Sequence, residues 1–139
     1  MDNALRKQVR DDADLRNRDF SGALLQGVCC MDACFDGSSL SGADLYWAIA
    51  MGCSFRDCDL TDAIFCGADL KDTVFTGARL IRADFSRDNL GGATQFQGAN
   101  LSGAIIQNCR FDGAEYDAKT QFPKGFYPDK HGLILSEQA

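Results

Sequence analysis

From Leu15 onward, large apolar side chains return at every fifth position, each set between polar or small neighbours. In the stretch Cys66 to Phe85, Leu70, Phe75, Leu80 and Phe85 fall in step, with Ala68, Thr73, Ala78 and Ala83 two places before them. An α-helix turns about 100° per residue, so a step of five displaces a side chain by about 140°. A strand sends any odd step to its opposite face. Neither element gives these residues a common core. The period predicts a chain that runs inward, turns a corner and repeats.

Counting in fives from Leu15 to Leu90, then from Phe96 to Tyr116 after a one-residue slip at 91–95, gives 21 centres, of which 17 are Leu or Phe. The exceptions are Cys30, Ala50, Ile106 and Tyr116. Two places before each centre, 12 of the 21 residues are Ala, and only Arg18 and Asp88 break a column of small or β-branched side chains. That column points inward where little room is left beside the centre. Two places after each centre, 17 residues are Gly, Asp or Asn, the types that tolerate φ > 0 at the second central position of a type II turn. Trp47, Arg82, Arg87 and Ala118 are the exceptions.

If each corner turns about a right angle, four pentads close one coil. Phe35, Phe55, Phe75, Phe96 and Tyr116 would then stack in one column, and Cys30, Ala50, Leu70, Leu90 and Phe111 in another. "GADLY", "GADLK" and "GANLS" resemble, as they stand, the A(D/N)LXX motif of the pentapeptide-repeat family. The resemblance implies an all-β fold, a right-handed quadrilateral parallel β-helix of about five coils with N- and C-terminal caps. At strand spacings of about 4.8 Å the rod is roughly 24 Å long. Residues 1–12 are expected to cap the first coil, with a short helix over 2–10 laying Ala4, Leu5 and Val9 on it. Residues 13–118 form the β-helix. Residues 119–139 are expected to close the far end, with Phe122, Phe126 and Tyr127 as lid. The ends of a repeat stack need such covers.

Composition changes this picture little. A length of 139 residues, 45% of them hydrophobic, with a net charge of −6, suits one domain. No apolar run reaches membrane-spanning length and no secretory h-region opens the chain, so the expected compartment is cytoplasmic. The seven cysteines form no Cys-x-x-Cys pair. By register Cys30, Cys53, Cys58 and Cys109 point inward as small fillers, and Cys29, Cys34 and Cys66 point outward.

Candidate chemistry is sparse. The single histidine, His131, has no relay partner in the pattern, and the paired carboxylates recur because the motif puts Asp before each centre (Asp44, Asp59, Asp69, Asp84). The glycines sit at corners and build no phosphate loop. No enzymatic activity, cofactor, metal or small-molecule substrate is expected, and the lack of a basic stripe speaks against direct nucleic-acid binding. What remains is surface. Cys29, Met31, Tyr46, Trp47, Ile49 and Met51 fall together on one face and its corners, with Trp47 where Gly or Asp is usual. They form a candidate patch for a protein partner or self-association, or a surface that a cap covers. The expected function is a non-enzymatic scaffold for protein–protein contact. The alternative comes from relatives of the family resembled: a DNA-mimicking inhibitor or protector of a type II topoisomerase (DNA gyrase), which the sequence pI of 4.6 permits.

Overall fold

The computed structural model describes residues 3–136. Parallel bridges join Asp14 to Cys34, Cys34 to Ser54 and Ser54 to Val74, each step 20 residues, and the other three faces repeat that spacing. The chain is a right-handed quadrilateral β-helix of five coils. Most rungs are a single bridge; longer pairing appears where β1 (Arg79–Ile81) runs parallel to β2 (Ile105–Gln107), and β3 (Glu115–Tyr116) to β4 (Ile134–Leu135).

The five-residue period sets this geometry one corner at a time. From Leu15 to Phe85 each centre buries its side chain, and in most of these pentads its carbonyl accepts from the amide three residues on, as Phe20 does from Ala23 at 3.0 Å. The second of the two residues between them takes the left-handed conformation. Every corner from Asn17 to Arg82 has φ between 54° and 73°, including Trp47 at 62°. Leu60, Phe75 and Leu80 are buried, whereas Asp59, Thr61 and Lys71 are partly exposed. Inside, Phe35, Phe55 and Phe75 stack at 5.2 and 5.1 Å, and Phe65 lies edge-on to Phe55 and Phe75. Burying each ring contributes about 1.5–3 kcal/mol before chain entropy is subtracted.

The register departs from expectation after Phe85. Asp69 pairs with Gln95 and Val74 with Asn100, steps of 26 residues, so six residues are added to the coil and not one. Leu90 is no centre; it is 82% exposed. The later columns therefore shift by one face. Leu70 stands over Phe96, Phe75 over Leu101 and Phe85 over Phe111, the last pair stacked at 5.2 Å. Phe75 and Phe96 meet only edge-on, at 6.3 Å. Arg110 lies on the face of Asp44 and Asp84, and Asn89 in the added loop, not on the face of Cys29 and Ile49. The cause is local. Keeping the register would have buried Asp88 without a partner, and a carboxylate in an apolar core costs far more than a loop.

Both ends are covered from outside the repeat. Helix α1 (Asn3–Gln8) fixes itself through Arg6, whose guanidinium donates to the carbonyls of Leu24 and Gln26 at 3.2 and 2.7 Å. Val9 is buried, Leu5 packs on the core, and Ala4 is exposed; residue 2 lies outside the described residues. Arg18, at an inward position, has no coil above it and leaves over the top to Gln8 at 2.8 Å. Its amide donates to the Ser38 hydroxyl, which in turn donates to the Leu15 carbonyl at 2.6 Å, so a side chain completes the turn.

At the far end Phe126 packs on Phe111, Phe122 on Tyr116, and His131 stacks on Phe126 at 4.3 Å. Leu133, outside the expected lid, is buried there. Tyr127 is not part of the lid: it is 59% exposed, under the Lys130 ammonium. The 3-10 helix Pro128–His131 turns it outward. Residues 137–139 of the expected closing segment lie outside the described residues.

Candidate functional site

The thiols are quiet. Cys30, Cys53 and Cys58 are buried, with Cys53 donating to the Cys30 carbonyl at 2.7 Å and Cys58 to the Phe35 carbonyl at 2.9 Å. Burial pushes Cys58 up to about 12, and the thiol contact with the Cys30 sulfur at 3.7 Å together with burial pushes Cys53 far above the ordinary thiol range. Cys109, on the last coil, is only half-buried and donates to the Leu80 carbonyl. Cys66 corrects the register reading: it faces outward yet is buried, its sulfur 3.7 Å from the Ser86 hydroxyl where the chain enters the added loop. Among the described residues no cluster of His, Cys, Asp and Glu could hold a metal.

The six patch residues come together at one edge of the rod. Cys29 and Ile49 are bridge partners on one face, with Asp69 next below. Met31 and Met51 follow at the corner after that face, and Tyr46 and Trp47 form the corner before it. Trp47 and Ile49 are each 43% exposed; Tyr46, Met31 and Met51 are half-buried. The Cys29 thiol donates to Asp11 at 3.2 Å, a bond that raises its pKa.

The added loop docks on this patch, so the two departures from the repeat are one feature. The Trp47 indole N–H donates to Asp88 Oδ2 at 2.7 Å, and the Tyr46 hydroxyl donates to Asn89 Oδ1 at 2.8 Å. The Asn89 amide donates back to that hydroxyl. Asp88 also organises the loop from within: its Oδ1 accepts from the amides of Leu90 and Gly92 at 2.8 and 2.7 Å. Trp47 holds its carboxyl below the usual range. Gly67 lies beneath; a Cβ there would stand 2.7 Å from Asp88 Oδ2 and 2.8 Å from Trp47 Cδ1. Leu90, held at the loop tip, adds an exposed apolar side chain that counting in fives had placed in the core.

The family model for pentapeptide repeats matches residues 11–42, 19–57, 53–92 and 94–115. The fold is similar to that of a pentapeptide repeat protein from the Arabidopsis thaliana thylakoid lumen, at 27% identity and a TM-score of 0.61, over 84% of this chain and 73% of that one. It is also similar to QnrB1, a plasmid-mediated fluoroquinolone resistance protein, at 17% identity and a TM-score of 0.51, over 94% and 87% of the two chains. No curated protein matches the sequence. Among the described residues no helix is long and apolar enough to cross a membrane.

Proposed function

The chain belongs to the pentapeptide-repeat family, and from that premise we propose that it is a non-enzymatic scaffold that binds a protein partner through the edge carrying Trp47, Ile49 and Leu90. One observation carries the reading. The rod exposes Ile49 and part of Trp47 at neighbouring positions of one coil, and the loop bonded to Tyr46 and Trp47 carries the exposed Leu90. Surface hydrophobics scattered singly need no explanation, but exposed apolar residues at one edge, with a loop fixed to that edge by dedicated hydrogen bonds, are the kind of surface that anchors a partner. Capture from a lysate of the native host tests it. A partner identified by mass spectrometry should be retained by the parent protein and by Thr61→Ala, and lost from both Ile49→Asp and Leu90→Asp. Equal retention by all four proteins overturns the assignment.

The acidic-rod reading, occupation of a DNA-binding surface on a type II topoisomerase, has less support. Net charge favours it, but Arg16, Arg56 and Arg82 pair with Asp14, Asp36 and Asp62 on the outer faces and interrupt the carboxylate display.

A further inference from the structure

Most rungs pass the same three backbone bonds to the coil below. On the face of Leu60, the Leu60 amide donates to the Arg79 carbonyl at 2.9 Å, the Asp62 amide to the Ile81 carbonyl at 2.8 Å, and the Cys58 carbonyl accepts from the Arg79 amide at 2.9 Å. The last rung of that face is β2, which pairs with β1 alone. The Ile106 and Asn108 amides and the Ala104 carbonyl hold the equivalent positions, and no strand of the described residues lies below them. The preceding face continues through Gln121 under Asn100 and the opposite face through β4 under β3, whereas no bridge among the described residues continues the face of Arg110.

A cleft of about 490 Å³ opens at that edge, between β2 and the closing segment. Its walls are apolar at Ile106, Cys109, Pro123 and Phe126, Lys124 stands at its side, and no carboxylate lines it. Unpaired strand edges invite a further strand, and a volume of this order accepts a short peptide.

We propose that the cleft below β2 takes an extended segment of a partner protein as a sixth rung, with a large apolar residue seated on Ile106 and Phe126 and a carboxylate just before it. The backbone pattern sets the binding mode. The residue before the apolar centre donates to the Ala104 carbonyl and accepts from the Ile106 amide, and the residue after it accepts from Asn108. Lys124, with no lining carboxylate against it, selects the acidic side chain. This site is separate from the Trp47 edge, and its success or failure leaves that reading untouched.

A fluorescein-labelled peptide with the sequence of Gly67 to Asp72, "GADLKD", is a suitable probe because it carries this small–acidic–large order. Binding to the full-length chain should saturate in an anisotropy titration and slow hydrogen exchange at the Ile106 and Asn108 amides. A peptide N-methylated at its Asp69 amide should bind about tenfold more weakly, the loss of one backbone hydrogen bond. A Leu70→Asp peptide should not bind. Absence of saturation, or binding that leaves those two amides unprotected or ignores N-methylation, overturns the proposal. A concentration-dependent dimer that protects them without peptide overturns it in favour of a second copy of this chain.

Discussion

Trp47 and Asp88, 41 residues apart, are joined by an indole N–H donated to a carboxylate at 2.7 Å. Trp47 holds a corner where most pentads have Gly, Asp or Asn, and Asp88 stands where they have a small inward residue. Each exception is the reason for the other. The carboxylate that could not enter the core leaves it with a loop, and the indole that finds no core beneath its corner receives that loop.

Acid should undo the bond. The folded-state pKa of Asp88 lies below its unfolded value of about 3.9, so its contribution is complete above that pH and is lost as pH falls through the lower, folded value. Trp47 is the sole tryptophan, so its emission reports the step directly. The emission is expected to shift below about pH 4 and not to do so in Asp88→Asn. An identical acid transition in the variant would assign it to general unfolding.

Gly67→Ala should loosen the loop beyond the strain of its corner. Gly42 has a similar φ, 68° against 70°, and open space where its Cβ would be. Gly42→Ala is therefore expected to cost about 1–2 kcal/mol, the left-handed strain alone. Gly67→Ala adds a collision with Asp88 and Trp47. Denaturation should show the larger loss for Gly67→Ala, and thiol labelling of Cys66 should accelerate there only. Matching losses would mean the loop does not depend on the bare corner.

Phe75 lies midway along the ring stack, with Phe55 parallel at 5.1 Å and Phe65 and Phe85 edge-on. Phe75→Ala is expected to destabilise by about 3–5 kcal/mol, whereas Thr61→Ala should change little. Urea midpoints for the two variants test it, and comparable small shifts would contradict the inward assignment.

Gyrase supercoiling should proceed unimpeded at stoichiometric protein, because Arg16, Arg56 and Arg82 break up the acidic faces. A dose-dependent block that weakens as salt rises would move the assignment to DNA mimicry.

The fold was legible in the sequence because a pentad is a local rule. Inward Leu or Phe, the small residue before it and the corner residue after it are chosen by backbone geometry within five positions, and Phe20 through Phe85 follow it throughout. The length of the insertion was not legible. From Phe85 to Phe96 is 11 residues, which fits two pentads with a slip or one rung with a loop, and Leu90 falls in step by sequence alone. The signal that separates the two was present in Asp88, whose inward placement has no partner, and in the paired Gly91 and Gly92. The six patch residues could be grouped by register, yet the cover over Tyr46 and Trp47 depends on contacts more than 40 residues away that no period encodes. The burial of Cys66 was missed for the same reason.

In a one-dimensional stack each coil feels only the coil above and the coil below, and such stacks tend to open from their ends. The loop at 86–93 breaks that rule. It is part of the fourth coil, yet it grips Tyr46 and Trp47 of the second and passes over Gly67 of the third. Three neighbouring units are thereby coupled beyond nearest-neighbour range, and fraying from either end meets a block that must open together. Amide exchange along the rod should then show a plateau of shared protection from about Leu45 to Phe96 in place of a gradient, and cutting the Trp47 link should restore the gradient.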